Sequence, residues 1–214
     1  MDERKLSSRG EFDKALARHS TGHGVSLDAE ARARLGDYFG LVAAWNARLH
    51  LVAPCAPEEF ATRHVLESLA ALAFLPTGAT FVDVGSGAGL PALPCLVARP
   101  DLKAVLFEAN QKKSVFLREA VSRLGLYTRA LVVAERFERA EPPEAHALTC
   151  RAIERFTETL PALVSWASRV PTLLLFGGES LRASLEAEGL SFDAVRLPES
   201  ERRFLFVVPR QKNS

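Results

Sequence analysis

The 214-residue sequence predicts a doubly wound α/β fold, a seven-stranded mixed sheet with an antiparallel C-terminal strand, preceded by an N-terminal helical extension. Three observations predict it. From residue 80 onward, short β-rich runs alternate with helical segments, the order that builds parallel strands with crossover helices. A glycine-rich turn, Gly85-Ser86-Gly87-Ala88-Gly89, joins the first of those strands to the first of those helices. The link between the last two strands is too short for a crossover, so they pair antiparallel.

Residues 1–78 read as the extension and 79–214 as the core. Residues 1–26 are polar, with Gly22 and Gly24 flanking His23, and predict a short helix or arm followed by a loop. Leu35, Phe39, Val42, Trp45 and Leu49 then recur at helical spacing. Pro54 and Pro57 interrupt, and Glu58 and Glu59 suit the first turn of a helix carrying Phe60, His64, Leu69 and Leu72 towards Pro76 and Gly78. Strands are expected over 80–84, 102–107, 128–133, 146–150, 172–176, 192–197 and 203–208. Helices are expected from the glycine turn to Ala98, over 111–124 with Asn110 as cap, over 157–168, and over 179–188.

Hydrophobic residues at 48% and charged residues at 25% support an ordinary buried core and exclude a disordered chain. A net charge of +1 excludes a protein basic all over but leaves a local basic patch open. Cys55, Cys95 and Cys150 form no CxxC pair, so neither a disulfide frame nor a metal site is expected, and a reducing, cytoplasmic compartment is. The longest nearly uncharged stretch, 69–82, contains Pro76 and Gly78 and is too short to span a membrane. No long apolar stripe is left over for a dimer seam, so a monomer is expected.

The glycine turn narrows the ligand. Glu108, at the end of the second strand, is placed to accept hydrogen bonds from ribose hydroxyls, the alternative being a plain surface residue. A dinucleotide site reads G-x-G-x-x-G and rests a pyrophosphate on the helix N-terminus. Here the third glycine, Gly89, comes one residue early and Pro91 occupies the helix start. Asp83, two residues before Gly85, suits a cationic amino-acid tail, or else caps local N–H groups. This D-x-G-x-G-x-G form is typical of S-adenosyl-L-methionine-dependent methyltransferases, and its spacing disfavours a nicotinamide oxidoreductase.

The run Phe81-Val82-Asp83-Val84-Gly85-Ser86-Gly87-Ala88-Gly89-Leu90-Pro91, continued through Pro94 and Ala98-Arg99-Pro100-Asp101-Leu102, resembles the RsmG (GidB) family of bacterial 16S ribosomal RNA guanine-N7 methyltransferases. Trp45-Asn46, Arg63-His64-Val65-Leu66-Glu67-Ser68, Lys113 with Phe116-Leu117, Arg136-Phe137-Glu138 and Cys150-Arg151-Ala152 are similar to further motifs of that family, in the same order. The resemblance implies a Rossmann-like methyltransferase fold and a cofactor site lined by Gly85, Leu90, Phe137, Glu138 and Arg151, which Asp83, Gly87 and Glu108 join from the fold argument. It implies 16S ribosomal RNA or the small ribosomal subunit as partner, with guanine 527 as target.

Arg63, His64, Lys112, Lys113 and Arg151 are the candidates for RNA contact. A packed, hydrogen-bonded role is the favoured alternative for His64, and a salt bridge to Glu154 or Glu138 is the alternative for Arg151. Arg99, Lys103, Lys112, Lys113, Arg118, Arg123 and Arg129, and the later cluster Arg202, Arg203, Arg210 and Lys212, offer further basic surface. Guanine N7 is an unprotonated acceptor, so its methylation needs orientation and no general base, and no catalytic acid or base is expected. Two departures from the family pattern stand out, His50-Leu51-Val52 after Trp45-Asn46 and Gly177-Gly178 where the family carries lysine–glycine. They keep two alternatives open: a methyltransferase for another RNA base or a small molecule, and a non-catalytic RNA-binding relative.

Overall fold

Side chains alternate across each strand, so a strand buried on both faces needs apolar residues at nearly every position. The computed structural model, which describes residues 3–151 and 156–210, meets that requirement from the first strand on. Glu154, Lys212 and Ala152 of the expected site and basic cluster lie outside the described residues. In β1 (Thr80–Val84), Phe81 joins the apolar core on one face of the sheet, while Val82 and Val84 join the core on the other. Beside it lie β2 (Lys103–Phe107), β3 (Ala130–Val133), β4 (Ala147–Arg151) and β5 (Thr172–Gly177), all parallel. β6 (Asp193–Arg196) and β7 (Phe204–Pro209) pair antiparallel, and β7 also runs antiparallel to β5. The order is β3-β2-β1-β4-β5-β7-β6, which makes a seven-stranded mixed sheet of doubly wound type. Its connections reverse direction between β1 and β4, where folds of this class open a ligand crevice.

The third strand starts later than its β-rich run, because the amides of Arg129 and Ala130 both turn back to the Leu126 carbonyl. Helices cover both faces. Residues of α5 (Ala92–Ala98) and α6 (Gln111–Arg123) join the first core, and those of α7 (Phe156–Trp166) and α8 (Glu179–Ala187) the second. Asn110 caps α6, its Oδ1 accepting from the amides of Lys112 at 2.9 Å and Lys113 at 3.2 Å.

The N-terminal helices share the first core. α1 (Glu3–His19) runs for 17 residues, longer than the short helix expected from its polarity. One apolar cluster suffices to hold it: Phe12, Ala15 and Leu16 lie at i, i+3 and i+4, and the Phe12 ring stacks on Phe39 at 4.8 Å. α2 (Ala29–Leu49), capped by Asp28, carries the expected stripe. It also buries Tyr38, whose hydroxyl donates to the Ala88 carbonyl at 2.8 Å and so ties this helix to the glycine turn.

The next segment is one helical run with a changing pitch. It passes from α3 (Pro57–Glu59) through a π-helical stretch (Phe60–Leu66) to α4 (Glu67–Leu69) and a 3-10 turn (Ala70–Phe74). Wide π turns inside helices accompany functional sites. Just past this one, Glu67 lies buried between two guanidinium groups. Its Oε1 accepts from Arg203 Nη2 at 2.7 Å and Nε at 2.9 Å, and its Oε2 from Arg151 Nη2 at 3.2 Å. Arg151 ends β4 and Arg203 precedes β7, so one carboxylate joins the helical segment to two strands. No helix among the described residues is long and apolar enough to cross a membrane.

Removing one member of a buried ion network leaves the others desolvated and unpaired. Glu67→Ala is therefore expected to lower the unfolding free energy by about 3 kcal/mol in urea titrations. A loss below about 1 kcal/mol would show that the junction does not depend on this network.

Candidate active site

A cleft of about 1020 Å³ opens at the C-terminal ends of β1, β2 and β4. This is the upper end of the volume range of small-molecule sites. Its floor is the glycine turn. One wall is the loop from His50 to Pro54, and another comes from Phe137, Glu138 and the first turns of α7. Asn46 holds the first wall: its side chain donates to the Val52 carbonyl and accepts from the Val52 amide, both at 3.0 Å.

The turn is closed upon β2. The amides of Gly85 and Ser86 both donate to the Phe107 carbonyl, at 2.9 and 3.1 Å, and the Gly87 amide donates to Glu108 Oε2 at 2.8 Å. Glu108 Oε1 accepts from the Asn110 amide at 2.8 Å, and the Gly89 amide turns back to the Ser86 carbonyl. Gly85 has φ 71° and Gly89 φ 86°, left-handed backbone that favours glycine, and a Cβ at Gly89 would run into Leu93. A pyrophosphate needs amides that point at it. Four of this turn's amides are already bonded, and Pro91 has none. The floor thus suits a nucleoside without phosphates. Glu108, whose oxygens have further lone pairs, stands at its edge.

Arg151 enters the cleft from the far side. Beyond Glu67, it donates to the Arg63 carbonyl at 2.6 Å and to Ser68 Oγ at 3.2 Å, and it lies 5.6 Å over the Phe176 ring. Two guanidiniums share one carboxylate here, which leaves a net positive charge beside the cleft. His64 faces the same space. Burial, and then the Arg151 charge, pull its pKa down to about 4, so its imidazole is neutral at physiological pH. Phe137 is fixed by Trp166, which meets it edge-on at 5.4 Å and meets Phe107 at 5.4 Å as well. The Arg136 guanidinium, 2.8 Å from Glu138, holds that carboxyl below its usual range.

The structure brings Gly85, Gly87, Leu90, Glu108, Phe137 and Glu138 onto one cleft, with Arg151, His64 and Lys113. Three expected residues lie off its wall. Arg63 pairs with Glu59 on its own helix, and Lys112 points its exposed side chain elsewhere. Asp83 is wholly buried beneath the turn, on the sheet face opposite Val82 and Val84. Its Oδ1 accepts from Thr149 Oγ1 at 2.6 Å, and its Oδ2 has no partner. Direct contact with a ligand tail is not what this position provides.

The seven basic residues of the central region also sort themselves. Arg99 pairs with Asp101, Arg123 with Glu119, and Arg129 donates to the carbonyls of Leu96, Arg99 and Leu102. Lys103, Lys112, Lys113 and Arg118 make no ion pair among the described residues. Arg203, taken with the late basic cluster, is bound to Glu67, and so is Arg151, for which a bridge to Glu154 or Glu138 is the alternative from sequence. Gly177 and Gly178 sit off the cleft wall, whereas His50 is on it. Among the described residues no group of three or more His, Cys, Asp or Glu is placed to hold a metal ion. Tyr38, Thr149, Glu67 and Trp166 support the site without having been read as part of it. For Tyr38 a signal existed, since it falls three after Leu35 and four before Val42.

Burial pushes the Asp83 carboxyl up to about 7, against an ordinary value near 3.8. Between roughly pH 4 and 7 the folded chain keeps this proton while the unfolded chain has lost it, so stability falls as pH rises through that window. Relative to Asp83→Asn, the wild type is expected to lose up to about 1.4 kcal/mol per pH unit there and to level off above pH 8. Urea midpoints across pH 4 to 9 check this, and a pH-independent difference would refute it.

The family model described as rRNA small subunit methyltransferase G matches residues 31–195. The ribosomal RNA small subunit methyltransferase G of Sorangium cellulosum (strain So ce56) is 40% identical over 169 residues, covering 76% of this chain and 70% of that one. The protein of the same name from Anaeromyxobacter dehalogenans (strain 2CP-C) is 38% identical over 181 residues, covering 83% and 84%. Among solved structures, the B. subtilis M1A22 tRNA methyltransferase TrmK superposes with a TM-score of 0.53 at 19% identity, covering 68% of this chain and 65% of that one. The pyocyanin biosynthetic protein PhzM gives 0.57 at 16%, covering 72% and 57%. At such identities these two likenesses show the fold alone. With the sequence matches over most of its length, the chain belongs to the rRNA small subunit methyltransferase G family.

Proposed function

We propose that this chain, a member of the rRNA small subunit methyltransferase G family, transfers a methyl group from S-adenosyl-L-methionine to guanine N7 of 16S ribosomal RNA, with guanine 527 as the target. The observation that carries the cofactor assignment is the closed glycine turn: four of its five amides are bonded to the end of β2 or within the turn, so it offers a nucleoside a floor and a phosphate little cradle.

The residues fit that cofactor. The turn and Leu90 would bear the nucleoside, Glu108 the ribose and Phe137 with Glu138 the base, while Arg151 would face the carboxylate of the amino-acid tail. Asp83 is proposed to act from below, its partnerless buried Oδ2 favouring positive charge above it. When bound, the cofactor supplies a methyl group made electrophilic by its sulfonium. Guanine N7 needs no proton removed before it attacks, and the neutral His64 does not have to act as a base. What the chain supplies is a fixed floor, walls that exclude water and, with Lys113 on the wall, a cation to meet the RNA backbone. Residues 79–214 carry this site in our reading, and the helical extension, 1–78, closes its mouth through the Asn46-bound loop. The protein acts in the cytoplasm as a monomer.

The direct test is transfer of labelled methyl to deproteinised 16S RNA and to intact small subunits from a strain lacking the gene. Label at a single guanine N7 is expected. Cofactor binding without label in either substrate would move the reaction to another acceptor. Gly85→Asp is expected to weaken cofactor affinity at least 100-fold by calorimetry, since it places a charged side chain in left-handed backbone on the floor. Retained affinity would displace the site.

A further inference from the structure

Two of the large hydrophobic side chains exposed among the described residues line one groove, Tyr127 at 74% exposure and Leu131 at 61%, and a third, Val115 at 51%, lies on α6, the helix that forms its other side. Isolated exposed hydrophobics are ordinary, but a cluster of them marks a contact surface. Between α6 and the edge strand β3 runs a groove of about 220 Å³, with Arg118 and Ser122 on its helical side and Tyr127 and Leu131 on its strand side. Gln111, Val115, Arg118 and Ser122 share one face of α6. Gln111 confirms where that face looks, since its Nε2 donates to the Ala134 carbonyl just past β3 at 2.9 Å.

α6 spans both this groove and the cleft. α6 begins beside Asn110 and Lys113, both on the cleft wall, and runs down past Arg118 for about 20 Å. Tyr127 follows at its lower end. Along this path Lys112, Lys113 and Arg118 are cations without ion pairs among the described residues. The carboxylates nearby are Glu119, which is paired with Arg123, and Glu135 at the cleft mouth. An exposed aromatic ring beside free cations is the chemistry that stacks a nucleobase and holds its phosphate. A second copy of this chain seated on the same patch would bring the unpaired Arg118 and Lys112 of both copies together, and like charges would oppose it.

We propose that this groove is a second RNA-contacting site, in which an unpaired nucleotide of the strand that feeds the cleft stacks on Tyr127 while Arg118 holds its phosphate. The inference rests on the reading of the protein as an RNA methyltransferase and adds a subsite remote from the reacting base.

The test is equilibrium binding of deproteinised 16S RNA to the full chain. Tyr127→Ala is expected to raise the RNA Kd about tenfold and Tyr127→Phe to leave it near wild type, because stacking needs the ring and not the hydroxyl. Arg118→Ala is expected to raise it about fivefold and to reduce the slope of log Kd against log salt by about one. Cofactor Kd and melting temperature should match wild type in all three variants. An unchanged RNA Kd in Tyr127→Ala and Arg118→Ala overturns the proposal. So does a defect seen only with assembled subunits, which makes the patch a protein-docking surface, or a change from dimer to monomer on sizing columns. Methyl transfer run in parallel separates the two levels: RNA binding without transfer by the wild type refutes the catalytic reading and leaves the groove standing.

Discussion

The hydrogen bonds that fasten the glycine turn to the end of β2 are the constraint on which the site depends. Phe107 and Glu108 receive the amides of Gly85, Ser86 and Gly87, so the floor of the cleft is set by the register of two neighbouring strands and not by the loop alone. Tyr38 adds a third support from α2 through the Ala88 carbonyl. A loop anchored in this way gives up its capacity to bind anions through its backbone and gains a fixed shape. In the proposed function, discrimination between nucleosides then passes to side chains around the rim, namely Glu108, Phe137, Glu138 and Arg151.

A second constraint is the shared carboxylate of Glu67. Burying two guanidiniums against one acid is costly unless the remaining charge finds a partner or solvent. Arg203 takes the tighter contacts and is about one-third exposed, while Arg151 is the member turned towards the cleft. Arg151 thus has its position fixed by Glu67, Ser68 and the Arg63 carbonyl, yet keeps charge to offer an anionic group. The Arg-His-Val-Leu-Glu-Ser segment makes sense on these terms. Its carbonyl at Arg63 and its side chains at Glu67 and Ser68 hold one arginine, and the neutral ring of His64 lies beside it.

Much of this was legible in the sequence, and the reasons for the exceptions are local. β1 to β5 were readable because each is a short apolar run bounded by glycine, proline or a capping residue. The cleft-lining residues Gly85, Gly87, Glu108, Phe137 and Glu138 were readable because they follow strand ends at fixed offsets. α1 was underestimated because a single apolar cluster around Phe12 holds it among polar neighbours. The π stretch was invisible, since Phe60 and His64 keep the four-residue step of an ordinary helix. The partnership of Glu67 with Arg203 spans 136 positions, and no spacing rule connects residues so far apart. Asp83 was placed on the right strand end. Its side chain faces away from the wall because alternation along β1 puts Val84, not Asp83, on the side that lines the cleft.

The titrating groups around the cleft agree with a reaction that moves no proton on the enzyme. His64 is held neutral well below physiological pH, Glu138 is held ionised by Arg136, and the guanidiniums stay charged throughout. The carboxyl raised towards neutrality, Asp83, is wholly buried beneath the glycine turn and is not part of the cleft wall. His64 and Glu138 therefore keep one charge state near neutral pH. A site built for general-base work places a group with a pKa near the working pH against its substrate. This one keeps the raised Asp83 carboxyl off the cleft wall and lines the cleft with Arg151, Glu138 and a hydrogen-bonded glycine turn, an arrangement suited to holding a lone pair in line with an electrophilic carbon.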